Sequence, residues 1–372
     1  MKDAVHVPVL VLTGGPCAGK TTALCYVEEK LRNLGFAVFL VREAATELMT
    51  SGITPSDGQF GNEEFQRLMV RRMLATEDFY RVAAALSRAP KKVVLCDRGI
   101  PDVSPYTEKV FLEKVLASHE LSPITARDGR YDAVFHLRSA AIGAEAFYGN
   151  ETNAVRRETL EEAREKDAAT IAAWIGHPHL RVIDNSTDFS GKLKRLFRHI
   201  CRALAIPAPM EIERKFRVAE PFDPQSIPVP FQKMEIEQAY LHALPGEELR
   251  IRKRGQNGVY TYYHTSKKRV PEKGAFRSVE TERRISEQVY VELLLVRNSA
   301  LCIIKKERFC FVWENQYFEL DAFVSPPLLF HILEVELTDA NDTVVLPDFI
   351  PVIGEETSLT NRAIASGSAV PL

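Results

Sequence analysis

In the second half of the chain, about seven short segments repeat one constraint: like charges stand two positions apart with apolar residues between them. LRIRKR puts Arg250, Arg252 and Arg254 in one phase, and SVETER puts Glu280 and Glu282 together with Arg284 in phase. IIKKERF gives Lys306 and Arg308, YFELDAF gives Glu319 and Asp321, and ILEVELT gives Glu334 and Glu336. EIERKF opens the series with Glu211, Glu213 and Lys215, and YTYYHTSKK ends in Lys267 and Lys268, either of which can hold the inward phase. Residues two apart on a strand share a face. For one strand a solvated face is the simpler explanation. It does not explain acids and bases sorted strand by strand, because like charges side by side repel. A closed antiparallel barrel with the charged phase inward does, the apolar phase packing outward against helices such as ISEQVYVELLLVRN. Charges buried at this density need partners, so the lumen is expected to be wet, metal-bound and ligand-filled. Arg and Lys would clamp the oxygens of a phosphate chain, and carboxylates would hold one or two magnesium or manganese ions.

The first half reads as α/β. Val7 to Thr13 is an apolar run suited to a parallel strand buried on both faces. It leads into GGPCAGKTT, which matches GxxxxGK[ST], and a helix follows on Leu24, Val27, Leu31 and Leu34 with Gly35 as its stop. Strand, glycine loop and helix are the context the motif requires. Gly14, Gly15, Ala18, Gly19, Lys20, Thr21 and Thr22 are therefore the expected nucleotide contacts: backbone N–H groups wrap the phosphates, Lys20 reaches the outer ones, and Thr21 ligates magnesium. A second strand, Phe36 to Val41, ends at Glu43, which is either a group touching substrate or an N-terminal helix charge. VVLCDRG supplies a further strand ending at Asp97, expected to hold the magnesium shell or polarise an attacking hydroxyl, and Arg98, a phosphate contact or an ion-pair residue. Arg156 and Arg157 open an acidic and basic helical segment and are candidates for a mobile lid over the nucleotide; taken alone, the segment reads as a solvated helix laced with ion pairs. Asn185 and Asp188 follow the last strand, where a base-contacting loop often lies, and His177 and His179 read as surface turn residues.

A basic helix, Phe189 to Leu204, is barred from continuing by Pro207 and Pro209. The expected organisation is a P-loop domain over 1–205, a short Pro-containing hinge over 206–210 and the charged barrel over 211–372. The net charge of −2 argues against a nucleic-acid partner or a dominant membrane-surface role. Six cysteines without CxxC pairs read as reduced thiols of a cytoplasmic protein, and neither a signal peptide nor a membrane-length apolar run is present.

GGPCAGKTT, REAATELM, CDRG and NAVRRETLEEA together resemble the NadR-like, AAA-28 type of P-loop family, which implies an ATP- or GTP-binding, kinase-like scaffold in which Glu43 approaches a phosphate acceptor. EIERK, the later RxR, ExE and KxR runs, and IGEETSLTNRAIA resemble the CYTH superfamily, the triphosphate tunnel metalloenzymes. That resemblance makes Glu211, Glu213, Glu334 and Glu336 metal-ligand candidates, with Glu211 and Glu213 catalytic, and Lys215, Arg250, Arg252, Lys267, Lys306 and Arg308 phosphate-binding; Arg284 joins them by phase. The domain order resembles the TRPL translocation defect protein family, which implies GTP binding and recognition of an anionic phospholipid by a peripherally membrane-associated protein. Two classes of function stay open. One is an enzyme that hydrolyses a triphosphate in the tunnel. The other is a nucleotide-regulated module whose tunnel captures a phosphorylated headgroup.

Overall fold

The computed structural model describes residues 6–55, 59–148, 159–206, 212–272, 275–337, 342–356 and 359–368. Two compact units divide the chain, residues 1–200 and 201–372.

The first unit is a five-stranded parallel sheet flanked by helices. Its strands are β1 (Val9–Gly14), β2 (Phe36–Val41), β3 (Lys91–Asp97), β4 (Ala133–Leu137) and β5 (Leu180–Ile183), ordered β2-β3-β1-β4-β5. Its helices are α1 (Lys20–Asn33), α2 (Ala44–Thr50), α3 (Asn62–Leu86), α4 (Lys109–Ala117), α5 (Pro123–Arg127) and α6 (Leu160–Trp174); α7 (Phe189–Ala203) follows β5. Val9 to Leu12, Val93 to Cys96 and β4 are buried throughout, which is why these runs are continuously apolar rather than alternating. Helix α1 buries Ala23, Leu24, Val27 and Leu31, and Gly35 ends it at φ 82°, where a side chain would be strained. Strand β1 lies between β3 and β4, so the strand order reverses there. The carboxyl ends of these three strands, Gly14, Asp97 and Leu137, converge on the crevice where open parallel sheets bind ligands.

The second unit is a nine-stranded antiparallel sheet: β6 (Ile212–Val218), β7 (Phe231–Tyr240), β8 (Glu247–Gln256), β9 (Val259–Glu272), β10 (Ala275–Ile285), β11 (Ile304–Trp313), β12 (Gln316–Ser325), β13 (His331–Leu337) and β14 (Val352–Glu355). The order is β10-β9-β8-β7-β11-β12-β13-β6-β14. Helix α8 (Glu287–Leu295) precedes β11, and α9 (Asn361–Ala365) follows β14. The described ladders do not join β10 to β14, so what stands in place of the expected closed barrel is one large antiparallel sheet. It is rolled rather than flat. Five ladders separate β6 from β8 (β6–β13, β13–β12, β12–β11, β11–β7 and β7–β8), which on a flat sheet would be about 24 Å. Glu213 and Lys215 of β6 nevertheless line the same cavity as Arg250 of β8 and Lys267 of β9.

The outer face carries the apolar phase. Phe216, Phe309, Phe311, Phe318, Leu320, Leu333 and Val335 form one cluster, and Tyr290, Leu293 and Leu294 of α8 pack on Ala239, Leu249 and Ile251 in another. Strand β7 departs from the sequence pattern. Its charges, Glu235 and Glu237, alternate away from the phase that faces Lys306 and Arg308; that phase holds the buried Met234, Ile236, Gln238 and Tyr240. Glu237 meets Lys305 at 3.1 Å and the Tyr290 hydroxyl at 2.9 Å.

Candidate functional site

Two sites can be built from these elements. In the first unit, the turn from β1 into α1 is possible only with glycine at two points. A Cβ on Gly14 would lie 2.1 Å from the Leu137 carbonyl oxygen, and one on Gly19, at φ 81°, would lie 2.6 Å from the Phe189 ring. The Lys20 ammonium donates to the carbonyls of Gly14 (3.0 Å) and Gly15 (3.1 Å). Burial and the neighbouring Arg98 lower its pKa to about 8. Thr21 and Thr22 are exposed in the first turn of α1, and Ala18 is buried.

The acids of the crevice stand close enough to interact. Asp97 is raised to about 6 by burial and by the Glu43 charge, and its Oδ1 is buried with no hydrogen-bond partner. Glu43 accepts from Arg98 Nε at 2.7 Å and from the Thr46 hydroxyl at 2.6 Å; burial alone would raise its pKa, and the Arg98 guanidinium reverses that. Glu43 occupies the N-cap position of α2 without capping a backbone N–H; its carboxylate is shared between the Thr46 hydroxyl on that helix and Arg98. Arg98 has φ 73°, in the left-handed region a non-glycine residue occupies at a cost of about 1–3 kcal/mol, and its Nη1 is buried and unpartnered. Asp97 Oδ1, within reach of the Lys20 charge, and the exposed Thr21 hydroxyl are oxygens that could serve a magnesium ion, which takes one or two protein oxygens and the rest from phosphate and water. Arg156 and Arg157 lie outside the described residues.

Some neighbouring residues serve the loop rather than a ligand. The Asn185 amide donates to the Ser139 and Ile142 carbonyls at 2.8 and 2.7 Å, which removes it from base contact, and Asp188 accepts from the Gly191 N–H at 2.8 Å. His177 is buried, not a surface turn residue. Its Nε2 lies 3.2 Å from the Tyr131 carbonyl, its Nδ1 accepts from the His179 N–H at 3.1 Å, and burial lowers its pKa to about 3.

In the second unit, the cavity of about 510 Å³ is lined by Glu213, Lys215, Tyr240, Glu248, Arg250 and Lys267, among others, and bounded by Thr360, Asn361 and Arg362 at the start of α9. Cross-strand register sets its ion pairs. Lys215 stands opposite Glu334 and Arg308 opposite Asp321, each directly bonded. Arg308 also contacts Glu334 at 2.6 Å and Glu319, and Lys306 meets Asp321 at 2.5 Å and Asn361 at 3.4 Å. Around the curve, Arg250 meets Glu280 at 2.6 Å, Lys267 meets the same carboxylate at 3.5 Å, and Arg252 reaches Gln238 at 3.3 Å and Glu282 at 3.9 Å. Lys268 pairs instead with Glu247 at 2.8 Å, so Lys267 holds the inward phase. Arg284 follows Glu280 and Glu282 in phase on β10.

Electrostatics separates these groups. Glu213, its side chain 47% exposed at the cavity, is raised to about 7 by partial desolvation among its neighbours and by the charge of Glu334, while Glu334, despite its burial, is held well below the usual range by Lys215 and Arg308. Burial and the charge of Arg250, two residues away on the same strand, lower Arg252. Glu336 meets Arg202, also of the second unit, at 3.4 Å. Glu211 lies outside the described residues. Among the described residues, no group of three or more His, Cys, Asp or Glu side chains is disposed to hold a metal ion, because the carboxylates are shared out among Lys and Arg. Glu213 and Glu334 are diagonal neighbours across β6 and β13, Glu213 standing opposite Glu336 and Glu334 opposite Lys215, and two carboxylates alone would take a cation only in company with phosphate oxygens. Tyr240, Glu248, Asn361 and Arg362 complete the wall, and of these only the α9 pair lies in a segment singled out in the sequence.

No curated protein matches the chain. Among solved structures it is similar to the inorganic triphosphatase NE1496, at 25% identity over 44% of this chain and 97% of that one, with a TM-score of 0.31. It is also similar to the PH1012 protein from Pyrococcus horikoshii OT3, at 27% identity over 36% of this chain and 80% of that one, with a TM-score of 0.26. Residues 9–192 match the AAA_28 family, described as an AAA domain, and the phosphate loop lies inside that span.

Proposed function

We propose that the chain handles phosphate chains at two places: a kinase-like P-loop unit that binds ATP or GTP, and a rolled sheet, closing into a tunnel, that binds a triphosphate or related polyanion and hydrolyses it with magnesium or manganese. The observation that carries the second half is the convergence of Lys215, Arg250 and Lys267, from strands far apart in the sheet, on one cavity with Glu213. A surface needs no such convergence. A linear polyanion does, because its charges are spread along several ångströms and must be met from all sides. Lys215, Arg250, Arg252, Lys267, Lys306 and Arg308 would clamp the chain, with Arg284 further along β10. Glu213 and Glu334, with Glu336 two residues further along β13 and Glu211 two residues before Glu213 in the sequence, would hold the cation, which when bound offsets phosphate charge and orients water. The carboxylates that neutralise the basic side chains in the ligand-free tunnel keep them extended toward the lumen, so the clamp needs little reorganisation.

In the first unit, Lys20 is already bent over the loop and would exchange the Gly14 and Gly15 carbonyls for phosphate oxygens, while Asp97 and Thr21 hold magnesium and Glu43 faces the acceptor side.

Phosphate release tests the reading, measured on inorganic triphosphate, thiamine triphosphate, ATP and GTP with magnesium and with manganese, for the wild type, Lys20→Ala and Glu213→Gln. Release that disappears in Glu213→Gln and survives Lys20→Ala supports a catalytic tunnel. Binding of triphosphate without turnover in any arm would make the second unit a polyanion-binding module instead.

A further inference from the structure

The phosphate loop is held from behind by side chains outside its own motif. Asp167, fully buried on α6, accepts the Gly15 N–H at 3.1 Å and the Ser139 N–H at 2.9 Å on Oδ1; its Oδ2 accepts Arg138 Nη1 at 2.7 Å, and His136 Nε2 lies 3.2 Å away. The Ser139 hydroxyl donates to the Pro16 carbonyl at 2.5 Å, and the Ala140 N–H donates to the Cys17 carbonyl at 3.3 Å. The buried Lys192 of α7 donates to the Ala18 carbonyl at 3.3 Å, to the Arg138 carbonyl at 2.7 Å and to Asn185 Oδ1 at 2.7 Å. Three consecutive loop carbonyls, those of Pro16, Cys17 and Ala18, are thus drawn to one side. Successive backbone N–H groups converge on an anion only if the intervening carbonyls point away from it, since a carbonyl turned inward would repel phosphate. The motif itself cannot enforce this, because its glycines permit many backbone conformations.

We propose that Asp167 and Lys192 are positioning residues of the nucleotide site: they pull the loop backbone into the anion-binding form before ligand arrives. Asp167 fixes the start of the loop and the Arg138–Ser139 turn that braces Pro16 and Cys17, and Lys192 fixes Ala18. The proposal rests on the reading of this loop as a nucleoside-triphosphate site.

The test is titration of MgATP and of MgGTP into the full chain at 10 °C by calorimetry, with the thermal midpoint of each ligand-free variant measured in parallel, for the wild type, Lys20→Ala, Asp167→Ala, Asp167→Asn and Lys192→Met. Asp167→Ala and Lys192→Met should each weaken triphosphate binding about tenfold or more, by leaving loop polar groups free to turn. Asp167→Asn, which keeps an oxygen for the two N–H groups, should recover part of that loss. If Asp167→Ala does not fold, Asp167→Asn and Lys192→Met decide the matter: folded variants that bind as tightly as the wild type overturn the proposal. Lower thermal midpoints with unchanged affinity would likewise make these residues structural only. If the wild type binds neither nucleotide, the reading of the loop falls first and the proposal with it, an outcome distinct from loss in Lys20→Ala alone.

Discussion

Glu334→Gln offers a sharp perturbation of the charged cluster on the inner face of the rolled sheet. The carboxylate is 5% exposed and bonded to Lys215 and Arg308 together. Removing its charge leaves the Lys215 ammonium, itself 15% exposed, facing only the more distant Glu213 at 3.3 Å, while Arg308 keeps Asp321 and Glu319. Breaking one partner out of a buried pair costs about 3–5 kcal/mol, and the lower end applies here because Arg308 remains paired. For a domain of this size, about 3 kcal/mol corresponds to a fall of about 6–12 °C in the thermal midpoint. Bound triphosphate restores an anionic partner to Lys215, so ligand should recover most of the loss. Wild-type protein at about 100 times Kd gains roughly 2.7 kcal/mol, and the variant should gain more. The assay is a thermal melt with and without inorganic triphosphate in a metal-free buffer, on the Lys20→Ala background so that the nucleotide site is silent. Equal midpoints without ligand, or equal ligand-induced shifts in the two proteins, would refute the reasoning that Lys215 is a phosphate ligand held ready by Glu334.

Three further outcomes are expected. His177 stays neutral in the fold down to about 3. Its unfolded pKa is about 6.5, so the stability it confers is complete above that value and is lost as pH falls from 6.5 toward 3, by up to about 5 kcal/mol. An acid-unfolding titration of His177→Asn should be flatter over that window, and an unchanged slope would contradict the assignment. Gly19→Ala adds a Cβ at φ 81° against the Phe189 ring, so the melt of the first unit should drop by an amount that Phe189→Ala partly restores; no drop would mean the loop is not held as described. Arg250→Ala removes a guanidinium fixed by Glu280 and should weaken triphosphate binding about tenfold, less at high salt, as measured by calorimetry; equal affinity would remove Arg250 from the clamp.

The parts of this molecule that could be read in advance are those where one residue's neighbours in sequence are also its neighbours in space. Val9 to Gly14, the glycine turn and α1 are such a stretch, and so is the charged phase of β8, β11, β12 and β13. Strand β7 shows the limit. MEIEQ has the same acidic alternation as ILEVELT, yet Glu235 and Glu237 point outward, because β7 sits between β8 and β11 and its inner phase sets Gln238 opposite Arg252, Ile236 between Arg254 and Lys306, and Met234 opposite Arg308. Which phase faces the lumen is set by cross-strand register, and a single strand does not contain that information. Asp167 was hidden for a related reason. In LEEAREKDAAT it reads as one more ion-pairing residue on a solvated helix, and only the fold brings it to Gly15, 152 residues away. His177 looked like part of a turn because HPH is polar and short, whereas the packing of Trp174 and Tyr131 around it decides its burial. The curl of the sheet likewise depends on residues distant in sequence, which is why convergence on one cavity, rather than strand count, identifies the rolled form.

Calorimetric titration of inorganic triphosphate into the Lys20→Ala protein, with manganese present, addresses the central claim most directly. One triphosphate bound per chain, abolished by Arg250→Ala combined with Arg308→Met in a variant that still melts cooperatively, is the result expected of a tunnel built from both sides of the rolled sheet. Absence of binding to Lys20→Ala, or full binding to the doubly substituted chain, would contradict it.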